Sequence, residues 1–331
     1  MVLSWRAVFK RGAKAVLILT NSWRKRNWDK FSDYTLRMDV IYAGEHQIPQ
    51  RPGASARRRG NQIVLREHIF GRLMEDQAFS AASYDSIDVN DGYKTFELRG
   101  ISIGLKMEFS GGIVYSANAV GMVEGTDPKL KDEYITVGAH LDHVGPRSGE
   151  ICNGADDNAS GSAGVLEVAE AVAMNPPKRS VVFVLYTAEE RGLHGSRQFL
   201  DEWPFPKENI LVNINLDMIG RTDKDNEKTR AHYAVGWERI PSNLKTIIES
   251  VNQKTVQWPL VFKKGNEIRG GSDHMAFQER GIPAFFFFSG MHEDLHKPTD
   301  DADKIEYDKM QKISQLVYEL TMALANGEER L

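Results

Sequence analysis

The sequence predicts an α/β protein: a mixed, mostly parallel central sheet flanked by helices, with a small β-rich region at its amino end. Three observations carry this. From about residue 112, apolar runs of strand length alternate regularly with stretches of helical period. Val181–Tyr186 and Ala284–Phe288 are continuously apolar, as strands covered on both faces are. Residues 1–105 differ in texture, with short runs separated by Arg-, Gly- and Pro-rich stretches such as Gln47–Asn61. The expected division is therefore 1–105 and 106–331.

Within the first region, Ala15–Leu19 and Thr95–Leu98 read as strands and Arg66–Glu75 as a helix. Arg6, Lys10, Arg11 and Lys14 before the apolar run imitate an export signal. The run is too short, however, and no small-residue cleavage pattern comes after it, so a helix end turning at Gly12 into a strand is expected. In the second region, Val114–Val123 is a strand closed by the turn Gly125–Pro128, and Tyr134–Ala139 is the next. Ser160–Met174 has apolar residues at helical spacing and stops before Pro176 and Pro177. After strand 181–186, the pattern gives a helix at Gly195–Glu202, a strand at Ile210–Leu216 and helices at Asn243–Gln253 and Asp273–Arg280. The strand Ala284–Phe288 and a closing helix over Asp308–Ala325 complete it.

Composition narrows function mainly by exclusion. The 331 residues carry a net charge of −4, so no global field favours nucleic acid or an anionic membrane. The basic runs Arg24–Arg26 and Arg57–Arg59 read as solvated loops. A single cysteine, Cys152, rules out an intrachain disulfide framework, and no apolar run approaches the roughly 20 residues of a membrane helix.

The chemistry lies just beyond the ends of the buried strands. Strand 134–139 ends in His140-Leu141-Asp142, strand 181–186 runs into Thr187-Ala188-Glu189-Glu190, and strand 210–216 ends at Asp217. Strand 284–288 leads into a loop with His292 and His296, and the turn Asn153–Gly161 adds Asp156 and Asp157. In open α/β sheets, ligands bind beyond the carboxyl ends of the strands. Singly these pieces are ambiguous: Asp156-Asp157 also fits a helix cap with Ser160, and Glu189-Glu190 also fits two solvated carboxylates. Asp217 is harder to explain away, because a carboxylate after an apolar strand needs a cation or donors.

Together, His140, Asp157, Glu190, Asp217 and His296 suit a binuclear metal centre. One carboxylate shared between two ions, plus one carboxylate and one imidazole on each, offsets most of the four positive charges. Asp142 is positioned to hold His140 in the metal-binding tautomer. Glu189, beside Glu190 but projecting differently, suits a general base acting on water.

The second region resembles the zinc aminopeptidases of the bacterial leucyl aminopeptidase and yeast vacuolar aminopeptidase Y type, in metallopeptidase clan MH. The resemblance spans about residues 112–325. It rests on Gly138–Asp142, Asn153–Gly161, Ala188–Ser196, Asn215–Met218, Ser272-Asp273-His274 and Leu295–Asp300, in matching order and spacing. It implies a zinc-exopeptidase fold of the phosphorylase/hydrolase-like kind and two Zn2+ per chain, with Mn2+ or Co2+ as possible substitutes. Asp157 would then bridge the ions, Glu190 and His296 would complete one site, and His140 with Asp217 the other. Asp142 would stand behind His140, and Glu189 would be the acid/base. The implied substrates are peptides with a free amino end.

One departure concerns the oxyanion. Many relatives carry an aromatic residue shortly before Ser-Asp-His, whereas Glu267-Ile268-Arg269-Gly270-Gly271 stands here and leaves Arg269 as a candidate donor. Phe9–Leu19 resembles the later part of a protease-associated domain, which implies work outside the cytoplasm. The resemblance leaves three other readings open: a clan-related amidohydrolase or carboxypeptidase, a single-zinc glutaminyl cyclase-like enzyme, and a non-catalytic receptor module.

Overall fold

The computed structural model describes residues 15–19, 61–65, 115–147, 149–268, 270–328 and 330. The chain divides into two units, Met1–Ile113 and Val114–Leu331. In the first, strands β1 (Ala15–Leu19) and β2 (Asn61–Leu65) pair in parallel. The expected strand Thr95–Leu98 and helix Arg66–Glu75 lie outside the described residues.

The second unit is built on seven strands: β3 (Ala119–Val123), β4 (Tyr134–His140), β5 (Ser180–Tyr186), β6 (Ile210–Leu216), β7 (His232–Val235), β8 (Leu260–Lys263) and β9 (Ala284–Phe288). They lie in the order β3-β5-β4-β6-β9-β7-β8. β3 runs antiparallel to β5 and β7 antiparallel to β9, while the other four pairings are parallel. The sheet is thus mixed and mostly parallel, as expected, with parallel β5-β4-β6-β9 at its centre.

Five helices cover it: α1 (Gly161–Met174), α2 (His194–Asp201), α3 (Ser242–Lys254), α4 (His274–Gln278) and α5 (Tyr307–Asn326). Alternation along the strands explains the layering. On β5, Val181 and Phe183 belong to one buried apolar cluster with Val165, Val168 and Val172 of α1, Leu244 of α3 and Leu316, Val317 and Leu320 of α5. The intervening Val182, Val184 and Tyr186 face Phe199 and Leu200 of α2 and Phe277 of α4. Every residue of β4, β6 and β9 is buried, which accounts for the unbroken apolar run of β9 and the mostly apolar β4 and β6, where Asn213 and Asn215 of β6 donate to Thr136 and Ser272 hydroxyls at 3.0 and 2.8 Å. The short β7 and β8 carry too few residues for a readable period, and the sequence pattern did not reveal them.

One buried histidine supports the far side of the sheet. His232 of β7 donates from Nε2 to the Ile219 carbonyl at 3.0 Å and accepts from Trp258 Nε1 at 2.8 Å. Burial, helped by the nearby Lys309 ammonium, holds its pKa down at about 3. Because the unfolded side chain titrates near 6.5, the unfolded chain binds the extra proton first as pH falls. This contribution to stability is complete above about pH 6.5 and declines below it. Between pH 7 and pH 5 the loss should be about 2 kcal/mol. Urea unfolding of the metal-free chain at both pH values should show it, and His232→Gln should remove about that much of the difference. An unchanged difference would assign the acid sensitivity elsewhere.

Candidate metal centre

The carboxyl ends of β4, β5 and β6 converge at one edge of the sheet, as the parallel register requires. His140 is the last residue of β4, and its own carbonyl accepts from Ser162 Oγ of α1 at 2.8 Å. Asp217 comes directly after β6, Glu190 lies in the loop after β5, and Asp157 sits in an irregular helical turn, Ala155–Ser160, that leads into α1.

That turn is fastened from both sides. Asp300 accepts from the backbone N–H groups of Asp156 and Asp157, at 3.1 and 3.2 Å. Asn158 donates to the Leu216 carbonyl at 3.0 Å and accepts from the Met218 N–H at 3.1 Å. Ser160 accepts from the Ile219 N–H at 3.0 Å, and Asp156 accepts from the Gly220 N–H at 2.6 Å. Asp156 is therefore a fully buried brace for the backbone after β6, and its second oxygen stands 3.3 Å from His292 Nε2. Neither Asp156 nor His292 reaches the cluster around Asp157 through any side-chain hydrogen bond or ion pair among the described residues.

The five residues expected to meet do meet. Asp157 Oδ1 lies 3.3 Å from His140 Nε2, which is 3.6 Å from Asp217 Oδ1. Asp157 Oδ2 lies 3.0 Å from His296 Nε2, which is 3.2 Å from Glu190 Oε1. The two oxygens of one carboxylate thus face two different acid–imidazole pairs. A tetrahedral ion with bonds of about 2.1 Å spaces its ligands about 3.4 Å apart, so these separations fit zinc-sized cations.

The electrostatics explain how so many acids share a buried space. Burial alone would raise Asp157, but hydrogen bonds from His140 and His296 hold its carboxyl well below the usual range. In return, burial opposes protonation of His296, yet Asp157 and Glu190 push it up to about 9. His140 is raised well above its ordinary value against burial, by Asp217 and Asp157. Without a metal, the imidazoles act as the counter-cations.

Glu189 behaves differently from its neighbour. Burial raises its carboxyl well above the ordinary value, and Asp273 and Asp217 add to the rise while His140 opposes it. Asp273, just before α4, is itself pushed up to about 7, chiefly by burial. Glu190 moves the other way: His143 and His296 beside it outweigh burial and lower it.

One expected contact takes another form. The Asp142 carboxylate was expected to hold the His140 ring, but Asp142 lies past the end of β4, where strand alternation no longer applies. His140 Nδ1 instead meets the Asp142 backbone carbonyl at 3.0 Å, with the carboxylate 3.9 Å away. The carboxylate accepts from the N–H groups of Glu189 and Glu190, at 2.9 and 3.3 Å. Asp142 thus fixes His140 through its main chain and the two glutamates through its side chain. Cys152 packs under the His296 loop, its Sγ 3.8 Å from the His296 carbonyl, and Arg147 donates to the same carbonyl at 3.0 Å. Ala188, Met218 and His296 all have left-handed backbone, with φ of 53, 53 and 57°. Such strain is concentrated where a fold must aim particular side chains. Arg269 lies outside the described residues.

A profile of peptidase family M28 matches residues 118–321, which takes in every strand just described from β3 to β9. The chain belongs to that family. Among curated relatives, it is 30% identical over 210 residues to aminopeptidase YwaD of Bacillus subtilis (strain 168), covering 61% of this chain and 43% of that protein. It is 32% identical over 185 residues to leupeptin-inactivating enzyme 1 of Streptomyces exfoliatus, covering 52% of this chain and 36% of that protein. The solved structure of BSAP, a zinc aminopeptidase from Bacillus subtilis, superposes with a TM-score of 0.53 at 25% identity, over 65% of this chain and 51% of that one. The chain spans about half or less of the length of these relatives.

Sequence reasoning missed His143. Its Nδ1 stands 3.1 Å from Glu190 Oε1 and 3.6 Å from Asp157 Oδ2. A histidine three residues after His140 was visible in the sequence, but nothing there showed that the chain turns back toward Glu190. The double duty of Asp142 yields a prediction for this M28 centre. Asp142→Ala should lower zinc affinity about 10- to 100-fold, the usual cost of losing a group that orients ligands. Equilibrium dialysis with metal analysis would measure this, and unaltered affinity would show the clasp to be dispensable.

Proposed function

We propose that the chain is a metal-dependent aminopeptidase that hydrolyses the first peptide bond of peptides with a free amino end, using two divalent cations. The observation that carries this reading is the Asp157 carboxylate, whose two oxygens face separate acid–imidazole pairs at 3.3 and 3.0 Å. His140 and Asp217 would hold one ion, Glu190 and His296 the other, and Asp157 would bridge them. Membership of a peptidase family and similarity to zinc aminopeptidases favour zinc as the metal. Mn2+ or Co2+ suits the same oxygen and imidazole donors.

Bound there, the cations would supply Lewis acidity, polarising the scissile carbonyl and making a nearby water easier to deprotonate. The protein must then accept and return one proton. Glu189 suits that task because it is a carboxylate beside the ligand Glu190 that belongs to neither acid–imidazole pair; in the metal-free chain burial raises it, His140 opposes the rise, and Asp273 and Asp217 add to it. It would take the proton from the attacking water and deliver it to the departing amine. Asp142 holds the Glu189 main chain at 2.9 Å and so fixes where that carboxylate starts. Asp217 and His296 lie 79 positions apart, and the stretch between them carries β7, α3, β8, α4 and β9, with no inserted lid domain of the carboxypeptidase kind among the described residues.

Two experiments test this. A panel of aminoacyl-nitroanilides and amino-blocked peptides, with and without chelator, should show chelator-sensitive cleavage of free amino ends only. Cleavage confined to blocked ends would refute the exopeptidase reading, and a chain that takes up no zinc would point to a binding module. Glu189→Gln should keep its zinc while losing about 10²–10⁴ in rate. Near-normal turnover would remove Glu189 from the proton transfer.

A further inference from the structure

The structure assigns His143 as an additional protein ligand of the cation held by Asp157, Glu190 and His296, a role that rests on the two-cation reading above.

His143 Nδ1 forms with Asp157 and Glu190 a group whose ligand atoms all lie within 4.8 Å of one another, as the corresponding atoms of His140, Asp157 and Asp217 do on the other side. Its distance of 3.1 Å to Glu190 Oε1 matches that of His296, 3.2 Å, and it stands 3.6 Å from Asp157 Oδ2, where His296 stands at 3.0 Å. All four are close to the ligand–ligand spacing of about 3.4 Å around a zinc-sized ion. Yet neither nitrogen of the His143 ring, nor Glu190 Oε1, has a partner aligned as a hydrogen bond. Buried polar atoms at contact distance but out of hydrogen-bond alignment are what a shared cation would leave once removed.

The ring is also held in place. Gly154, with φ of 66°, lies against it, and a Cβ there would come within 2.6 Å of the His143 Cγ. The same Cβ would meet the Asp157 carbonyl at 2.3 Å, so one glycine sets the spacing between the imidazole and the turn that carries Asp157. The His143 and His296 rings meet edge to face, 5.6 Å between centroids. The consequence is asymmetry: two imidazoles on one side of Asp157 and one on the other. Of the two cation positions, the one at His140 and Asp217 has fewer protein donors.

The test uses the full chain stripped of metal and titrated with Zn2+ and Co2+. The native chain should take up two equivalents. His143→Ala should bind the first equivalent with native affinity and the second more than about 100-fold more weakly, beyond the ~10- to 100-fold cost of losing a merely orienting partner. His143→Cys should restore the second equivalent and, with Co2+, show near-ultraviolet thiolate-to-cobalt absorption that the native chain lacks despite Cys152. Circular dichroism establishes that each variant is folded, and the His143→Cys variant decides the matter if the His143→Ala variant is not. A second equivalent weakened 100-fold or less, or a His143→Cys chain without the thiolate absorption, overturns the assignment while leaving the two-cation site intact. Failure of the native chain to bind two equivalents overturns the two-cation reading itself.

Discussion

Three carboxylates, the buried Asp157 and Asp217 and the partly buried Glu190, share one small volume, and their mutual repulsion must be balanced by positive charge brought to within about 3 Å. In the metal-free chain that charge comes from imidazoles, which is why His296 is raised while Asp157 is lowered. Such a balance is expensive in desolvation and would be a poor way to stabilise a core. Its value lies in affinity for cations, since metal binding replaces the protons that the imidazoles carry. The rest of the domain can be understood as the framework that keeps these acids together.

That framework is mostly main chain. Parallel β4, β5 and β6 end at one edge because their hydrophobic faces are buried between two helical layers. The residues beyond the strands are then tied to one another: Asp142 to the two glutamates, Asp300 to the turn of Asp156 and Asp157, and Asn158 to both sides of Asp217. These bonds use charged or amide side chains against backbone groups, so they hold the loops without competing for the imidazole nitrogens. Asp156 shows the economy of this arrangement. It sits next to Asp157 in sequence and carries the same carboxyl group, yet its oxygen serves the Gly220 N–H.

How much of this the sequence disclosed depends on the range of the forces involved. Ile210–Leu216 and Ala284–Phe288 were readable to the residue, because a strand covered on both faces writes its burial directly into composition. β7 and β8, four residues each, were not, because they are defined by pairing with distant strands. The five residues predicted to converge do so, since each sits at a strand end or turn whose direction the parallel sheet dictates. His143 and the partners of the Asp142 carboxylate depend on how a short loop folds back after β4. No local pattern encodes that turn.

The cluster is not uniformly shielded. The side chain of His140 is 1% exposed, Asp157 6% and Asp217 11%, whereas His296 is 34% exposed and stands on a loop anchored through its carbonyl by Arg147. Reagents that attack free imidazole should therefore reach this ring before His140. Modification there would unseat only one flank of the cluster, so if two cations are held as proposed, they should be lost and regained in sequence, beginning from the solvent-facing loop.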